Sequence, residues 1–288
     1  MSKIVLTTGC STGLGASIAV AAAKAGWKSY ASMRNLSKRG ELDTMAEAAG
    51  TSVELLELDV CDQASVDAAV SEIIEREGRI DTLVCNAGVG FVRSTEQAEE
   101  PDVQWVMDTN FHGVVRCTKA VLPHMRAARA GHVVAITSIG GLVGQPFNEI
   151  YCGSKFAVEG YIESLASYTG PAFGLHFTAI EPAGISSEFV ANVREHIARS
   201  GGMLDDAYAP ILKRYLSDRS GPEYEGLYQT PGEVAQVVLD IMSSNNPPVR
   251  ARTSAWAENF CRFKTETDPE GRKQQQMVID TFLGGSAI

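Results

Sequence analysis

Tyr151 and Lys155 have the spacing of a proton-transferring pair. Four positions apart on a helix, they lie one turn from each other on a shared face. A phenol has a pKa of about 10, which is too high for exchange at neutral pH, but a nearby ammonium favours the phenolate. Lowering that pKa by about three units takes about 4 kcal/mol, which a close cation away from bulk water can supply. The pair therefore predicts acid/base catalysis with Tyr151 as the reacting group.

A serine lies where it could assist that tyrosine. Ser138 follows the predicted strand at residues 133–137 and precedes the helix predicted at residues 151–169. A hydroxyl at a strand end can hydrogen-bond a substrate oxygen and stabilise the charge that develops there. A Tyr-x-x-x-Lys spacing also arises by chance, so the prediction depends on finding Ser138 and a glycine-rich turn in the same chain.

The glycine-rich turn begins at the end of the first predicted strand, residues 4–8, and leads into an alanine-rich helix at residues 16–25. Glycines in such a turn let the backbone approach a pyrophosphate closely, and the helix start offers unpaired N–H groups. This position between strand and helix favours a dinucleotide site. The predicted contacts at the turn are Gly9, Ser11, Thr12, Gly13, Leu14 and Gly15.

The second predicted strand, residues 29–33, is followed by Arg34 where an NAD site would present a carboxylate to the ribose. Glu41 is the first acidic residue of the chain. A guanidinium can pair with a 2′-phosphate, a contact worth about 1.5–3 kcal/mol, and Ser11 could add a hydrogen bond. The sequence therefore favours NADP(H) over NAD(H).

Charge, cysteine content and hydropathy limit the other functional classes. The formal net charge is −10, although residues 1–40 carry six basic and no acidic residues. The overall charge argues against nucleic-acid or anionic-membrane binding, while the basic start suits a phosphate-rich ligand. Six scattered cysteines form no metal-binding spacing, so we expect reduced thiols, no metal site and a cytoplasmic location. We find no stretch that resembles a signal peptide or a membrane span.

The hydrophobic pattern predicts one α/β domain spanning residues 1–288. Short β-branched runs alternate with helical stretches from residue 4 to about 182, as in a doubly wound parallel sheet of about seven strands with helices on both faces. Residues 186–229 break this alternation and are predicted to form a small helical substrate-binding lid. A capping box at Thr230 and Glu233 opens a further helix, and residues 254–288 read as a polar C-terminal tail.

These motifs together resemble the short-chain dehydrogenase/reductase family over nearly the whole chain. The segment 8–15 matches the family's T-G-x-x-x-G-x-G turn, and residues 86–88 match its N-A-G segment. The family's catalytic tetrad falls on Asn110, Ser138, Tyr151 and Lys155. The resemblance implies alcohol–carbonyl hydride transfer, with Asn110 holding a water that connects Lys155 to solvent.

The resemblance also implies further cofactor contacts and an assembly. Pro182-Ala183-Gly184 departs from the family's usual Pro-Gly, and Ser187 stands where a threonine often contacts the nicotinamide amide. A homodimer, or a homotetramer, is expected from the family. The implied cofactor contacts are Asp59, Val60, Asn86, Ala87, Gly88, Pro182, Gly184, Ile185 and Ser187.

Segments 83–88, 138–148 and 151–157 look like the branch of the family that contains estradiol 17β-dehydrogenase type 1 and photoreceptor retinol dehydrogenase. Steroid specificity is not carried over, because His196 is the only histidine between residues 190 and 229 and lies early in the predicted lid. Apolar and aromatic residues in that lid, Met203 among them, and others near Tyr151 predict a lipophilic or aromatic secondary alcohol, ketone or aldehyde as substrate. The predicted pocket residues are Val143, Phe147, Tyr208 and Leu212.

Two other functions remain open at this point. Nucleotide-sugar epimerases and dehydratases also use Tyr-x-x-x-Lys, but they tend to space the glycines differently and to carry a longer substrate domain. A non-catalytic NADP-sensing regulator could share the fold, although such proteins usually lose the tyrosine that this chain retains.

Overall fold

The computed structural model describes residues 2–199, 201–202, 204–216, 225–273 and 276, with Val190 and Phe263 described by backbone only. Met203 and parts of the predicted lid and tail therefore lie outside the described residues. The strands, in chain order, are β1 Ile4–Thr7, β2 Lys28–Met33, β3 Glu54–Glu57, β4 Thr82–Cys85, β5 Gly131–Ile136, β6 Leu175–Glu181, β7 Gly184–Ile185, β8 Tyr228–Gln229 and β9 Arg250–Arg252.

Seven of these strands form one sheet in the order β3-β2-β1-β4-β5-β6-β9, and every pair in it is parallel. The strand order reverses between β1 and β4, which is the switch point where open α/β sheets bind ligands. The short strands β7 and β8 form a separate parallel pair beyond the end of β6. The predicted doubly wound sheet of about seven strands is confirmed.

Helices cover both faces of this sheet. They are α1 Gly13–Lys24, α2 Gly40–Ala48, α3 Gln63–Glu77, α4 Glu100–Met107, α5 Gly113–Ala128, α6 Glu149–Phe173, α7 Glu188–Arg199, α8 Ala209–Tyr215, α9 Pro231–Ser243 and α10 Ala255–Thr265. Side chains of α3, α5 and α6 pack in the core on one face, and those of α1 and α9 pack in the core on the other.

Strand alternation explains why there are two such cores. Leu83 and Cys85 of β4 join the core beneath α5 and α6, whereas Val84 between them joins the core beneath α1. All four residues of β4 are buried, as expected for a central parallel strand covered on both sides. The short apolar run at residues 82–85 predicts a buried strand with the bounds that β4 has.

Three predictions about elements need correction. The apolar pattern of residues 103–128 predicts a single helix, whereas the structure has α4 and α5 there, separated by a π-helical turn at Asp108–His112. The predicted lid contains α7, which the sequence pattern did not reveal, besides α8. The predicted polar tail begins with α10, whose buried Ala257 and Cys261 pack against Ile139 and Leu142. Its apolar stripe was obscured by the charged residues on its exposed face.

Candidate active site

The predicted chemical residues meet at the carboxyl ends of the central strands. Ser138 begins the loop after β5, and Tyr151 and Lys155 lie in the first turns of α6. The glycine turn follows β1, and residues 86–88 follow β4. Because parallel strands end at the same edge, these three loops and the start of α6 converge near the switch point of the sheet.

Tyr151 lies between Ser138 and Lys155. The Ser138 hydroxyl forms a hydrogen bond with the Tyr151 side chain and also accepts one from the Gly140 N–H at 2.9 Å. The Lys155 Nζ lies 5.7 Å from the centre of the Tyr151 ring. The three side chains that the sequence assigned to one site are thus brought together.

The pKa of Tyr151 differs from the sequence prediction. Burial raises the pKa of Tyr151 to about 12, although its hydrogen bond with Ser138 acts in the opposite direction. Among the protein's own side chains, removal of the phenol from water outweighs a cation 5.7 Å from the ring, whereas the expected lowering of the pKa depends on Lys155 together with an oxidised nicotinamide. The side chains as placed therefore hold Tyr151 in its neutral, proton-donating form.

Lys155 is itself buried. Its Nζ donates a hydrogen bond to the backbone carbonyl of Ile136 at 2.9 Å. Burial lowers the pKa of Lys155 to about 8, while the charge of Glu159, one turn further along α6, acts to raise it. A lysine with a pKa of about 8 is still mainly charged at neutral pH and can also release its proton there.

Asn110 is held rigidly next to this pair. It is fully buried within the π-helical turn. Its Oδ1 accepts from the Val89 N–H at 2.7 Å, while its Nδ2 donates to the Val89 carbonyl at 2.9 Å and to Ser154 Oγ at 3.0 Å. Ser154 in turn donates to the Tyr151 carbonyl at 2.7 Å, so Asn110 ties the loop after β4 to the catalytic helix. The widened turn is typical of functional sites.

The glycine turn is shaped by the absence of side chains. Gly9 and Gly13 adopt positive φ angles of 71° and 60°, which favour glycine. A Cβ on Gly15 would lie 2.3 Å from the Gly9 carbonyl oxygen and 2.5 Å from Asn86 Nδ2. The Gly13 N–H donates to a carboxylate oxygen of Glu41 at 3.0 Å, so a backbone donor of this turn reaches an anionic oxygen. The turn therefore fits a phosphate-bearing cofactor.

Residues 86–88 brace the turn from the neighbouring strand. Asn86 Nδ2 donates to the carbonyls of Thr8 at 2.9 Å and Gly9 at 3.1 Å. The Thr8 hydroxyl accepts from the N–H groups of Asn86 and Ala87, both at 3.0 Å. Asn86 and Thr8 thus fix the shape of the turn, and Gly88 lies where an added Cβ would be 3.6 Å from Lys155 Nζ.

Arg34 is the basic residue that follows the strand beside the turn. Arg34 directly follows β2 and is exposed, and no hydrogen bond or ion pair within the described chain engages its guanidinium. Ser11 and Thr12 are half-buried. Asp59 caps its own loop by accepting from the Cys61 N–H at 2.9 Å. Arg34 is therefore available to a ligand phosphate.

The segment that follows β6 borders the site next to the Ser138 loop and the glycine turn. The Pro182 carbonyl accepts from the Ile139 N–H at 2.9 Å, which links this segment to the loop of Ser138. Gly184 and Ile185 form β7, and a Cβ on Gly184 would lie 2.6 Å from the Tyr228 ring. Ser187 lies against Gly13, with its Cβ 3.3 Å from the position a Gly13 Cβ would take. The Pro-Ala-Gly variation is accommodated by pairing with β8.

Phe189 is a site residue that the sequence analysis missed. Its ring centre lies 6.0 Å from that of Tyr151 at an interplanar angle of 60°. A Cβ on Gly90 would lie 2.4 Å from Val193 and 2.8 Å from Phe189, so α7 rests directly on the loop after β4. Only a prediction of α7 as a helix starting at residue 188 would have indicated that Phe189 faces the tyrosine.

The predicted pocket residues separate into two groups. Buried Phe147 and half-buried Tyr208 make an edge-to-face contact with ring centres 6.4 Å apart, and Leu212 is buried one turn beyond Tyr208. Val143 instead packs beneath the Ser138 loop with Ile139 and its neighbours. Phe147 and Tyr208 are the predicted pocket residues that the structure joins into one apolar wall.

Two searches of the described residues bear on metals and membranes. In that part of the chain, no group of three or more His, Cys, Asp or Glu side chains is arranged to hold a metal ion. Over the same residues, no helix combines the length and the apolar character needed to cross a bilayer.

Comparison with known proteins identifies the family. The family model for short chain dehydrogenases matches residues 3–198, which contain the glycine turn and all four predicted catalytic residues. The chain belongs to the short-chain dehydrogenase family. Members of this family are oxidoreductases that act on alcohols or carbonyls and use NAD(P)(H).

Relatives and solved neighbours of this short-chain dehydrogenase are named for different substrates. Retinol dehydrogenase 8 of Bos taurus is 38% identical over 275 residues, 93% of this chain and 86% of that protein. Human 17-beta-hydroxysteroid dehydrogenase type 1 is 37% identical over 276 residues, 93% of this chain and 82% of that protein. An actinorhodin polyketide ketoreductase variant solved with NADPH has a TM-score of 0.74 and 26% identity, covering 87% of this chain and 95% of that one. The predicted resemblance to the steroid and retinol branch is confirmed.

Proposed function

We propose that this protein is an NADP(H)-dependent oxidoreductase that interconverts a lipophilic or aromatic secondary alcohol and its ketone, or an aldehyde, with Tyr151 as the acid/base. The observation that carries the proposal is the half-buried Tyr151, hydrogen-bonded to Ser138 with Lys155 beside it, at the strand edge that also holds the glycine turn. A nicotinamide bound there would donate or accept the hydride. The protein must then supply or remove one proton.

In the reducing direction, Tyr151 donates that proton. Burial keeps the phenol neutral, so it can hydrogen-bond the substrate carbonyl oxygen and protonate it as alkoxide character develops. Ser138, already hydrogen-bonded to Tyr151, offers a second contact to the same oxygen. In the oxidising direction the phenolate is required, and it forms only if positive charge beside the ring offsets the cost of burial.

Lys155 provides that charge and a path for the proton. Its ammonium is anchored on the Ile136 carbonyl, and its pKa of about 8 permits proton exchange near neutral pH. We assign Asn110 the role of positioning the water that connects Lys155 with solvent. Its fixed bonds to Val89 and Ser154 are suited to holding one geometry through the reaction.

Preference for NADP(H) over NAD(H) rests on Arg34. The exposed guanidinium follows β2, where an NAD site would place a carboxylate. Half-buried Ser11 and Thr12 border the same part of the turn. The presence of NADPH in the polyketide ketoreductase neighbour agrees with this assignment for the fold.

A lipophilic substrate is supported by the aromatic side chains near Tyr151. Phe189 lies beside the tyrosine, and Phe147 and Tyr208 form a second apolar surface. Such surfaces favour hydrophobic ligands held by a few polar contacts. The relatives named for retinol and hydroxysteroids make both classes of compound good candidates.

Assembly and location belong to the same proposal. Phe156 and Tyr168 on α6 are 39% and 47% exposed, and an apolar strip along this helix suits a homodimer. All six cysteines are free thiols, which agrees with a reducing, cytoplasmic environment.

We assign α7 and α8, within residues 186–229, the role of a substrate-binding lid.

The experiment that tests the proposal follows nicotinamide absorbance with purified protein and a panel of steroids, retinoids, aryl ketones and oxo-acyl compounds. Each compound is assayed in both directions with NADP(H) and with NAD(H). We expect at least one lipophilic compound to turn over with a preference for NADP(H). Tight NADPH binding without turnover of any compound would instead favour the non-catalytic NADP-sensing function.

A further inference from the structure

A carboxylate of the chain lies on the glycine turn. Glu41, in the first turn of α2, accepts a hydrogen bond from the Gly13 N–H at 3.0 Å. Gly13 is the first residue of α1, and the preceding Thr12 makes no side-chain cap there. Glu41 therefore supplies the anionic oxygen that the start of α1 attracts.

The same place is where the proposed cofactor must bring its phosphates. The start of a helix binds a phosphate through its unpaired backbone N–H groups, and one of those groups, the Gly13 N–H, is engaged by Glu41. Arg34, the proposed 2′-phosphate partner, projects from the neighbouring strand end. A phosphate that approaches this end of the turn meets one attractive and one repulsive side chain.

The surroundings leave Glu41 free to move. Its side chain is exposed, and among the described residues the Gly13 N–H is the one group that donates a hydrogen bond to it. The nearby Arg39 is paired with Asp43 at 2.6 Å, so it does not neutralise Glu41 through a direct contact. Moving Glu41 away would cost little, but its negative charge would still repel an incoming phosphate at distances shorter than the Debye length, which is about 8 Å at physiological ionic strength.

We propose that Glu41 is a specificity-determining residue that competes with the cofactor for the glycine turn and opposes binding of a 2′-phosphate. This inference rests on the proposed function, since it assumes that NADP(H) binds at this turn. Arg34 sets the preference for the phosphorylated cofactor, and Glu41 limits how large that preference becomes. NADH, which lacks the 2′-phosphate, experiences less of the repulsion.

The test is cofactor binding by Glu41→Gln, measured by isothermal titration calorimetry with NADPH, NADH and 2′,5′-ADP at low and high salt. Removing one exposed like charge should tighten NADPH and 2′,5′-ADP about 3- to 10-fold at low salt. NADH should tighten less, and high salt should shrink every gain. Glu47→Gln removes the same charge from an exposed position of α2 and should change each dissociation constant less than about 1.5-fold.

The outcomes distinguish this inference from the function on which it rests. If wild-type protein binds neither nicotinamide cofactor, the proposed function fails. If wild type binds NADPH but Glu41→Gln binds it equally well, competition by Glu41 is refuted. Weaker NADH binding by the variant would also refute it, because Glu41 would then be contacting the ribose. A melting-temperature change without any change in affinity would show a purely structural role and refute it as well.

Discussion

Arg34→Asp tests the cofactor preference at the scale of one side chain. The substitution replaces a cation with an anion where the 2′-phosphate is proposed to bind. We expect NADPH affinity to fall at least about tenfold, the equivalent of losing a charge-assisted bond of about 1.5 kcal/mol, with NADH affinity kept or improved. Cofactor titrations measure both, and Lys24→Asp at the far end of α1 serves as the control. Unchanged selectivity would mean that another group recognises the 2′-phosphate.

The position of Arg34 after β2 could be predicted from the sequence, because the ends of strands follow from hydrophobic runs. The pKa of Tyr151 could not be predicted, since the burial of its ring depends on what packs around it. The contacts of Phe189 and Glu41 were missed for the same reason, because each joins segments far apart in the chain.

Helices and strands position the residues of the site. The start of a helix was easier to predict than a break within one. The capping box at Thr230 and Glu233 forms as expected, with the Thr230 N–H donating to Glu233 at 2.7 Å. The π-helical turn that holds Asn110 was not predicted, because π-helical turns are rare and a one-residue shift in the phase of the apolar pattern is a weak signal within one helical stretch. The helix α7 was not predicted, because glycines and polar residues around it obscure its apolar pattern.

Gly15→Ala tests whether close packing of the turn positions the site. Its Cβ would lie 2.3 Å from the Gly9 carbonyl oxygen and 2.5 Å from Asn86 Nδ2, so the backbone must shift. We expect the free energy of unfolding to fall by about 1–3 kcal/mol and NADPH to bind at least about tenfold more weakly. Chemical denaturation and cofactor titration measure the two effects.

The matched control is Gly232→Ala in the first turn of α9, where no atom lies within 4 Å of the added Cβ. It should change stability by less than about 0.5 kcal/mol and leave cofactor binding unaltered. If Gly15→Ala changed stability and cofactor binding as little as this control, close packing of the glycine turn against Asn86 would not be what shapes the site.

At the scale of the whole molecule, a row of buried ionisable side chains extends from the site to the edge of the sheet formed by β9. Glu159, one turn beyond Lys155, is 5% exposed and shares this region with Glu181 of β6. Arg252 of β9 pairs with Glu181 at 3.0 Å and with Glu258 of α10 at 3.0 Å. Burial and the charge of Glu181 raise the pKa of Glu159 well above its usual range, and Arg252 favours charge on Glu181 rather than on Glu159.

This arrangement predicts how stability depends on pH. A carboxyl whose pKa is raised by folding binds more protons folded than unfolded above pH 4.5, so the free energy of unfolding falls as pH increases from there. The slope approaches about 1.4 kcal/mol per pH unit for one group. Glu159→Gln removes this group, and its stability should decline less steeply over the same range.

Denaturant unfolding at a series of pH values above 4.5 measures the difference between Glu159→Gln and wild type. Glu75→Gln, an exposed change on α3, should follow the wild-type curve. Parallel curves for Glu159→Gln and wild type would show that Glu159 is ionised in the folded protein.

The way these ionisable side chains come together in space could not have been predicted from the sequence. The doubly wound sheet followed from alternating apolar runs, and the family motifs located four of the site's side chains. The buried pair of Glu181 and Arg252 depends on β9 joining the edge of the sheet beside β6, a long-range pairing that composition does not specify.

The measurement that tests the central claim most directly is turnover by Tyr151→Phe, with the best ketone substrate from the panel and NADPH. Removing one hydroxyl deletes the proposed proton donor while keeping the ring that packs beside Phe189. We expect kcat to fall about 100- to 10,000-fold with the NADPH dissociation constant within about twofold of wild type. Tyr161→Phe, on the same helix but packed against Phe111, should retain activity. A Tyr151→Phe enzyme with near-wild-type kcat would contradict the account.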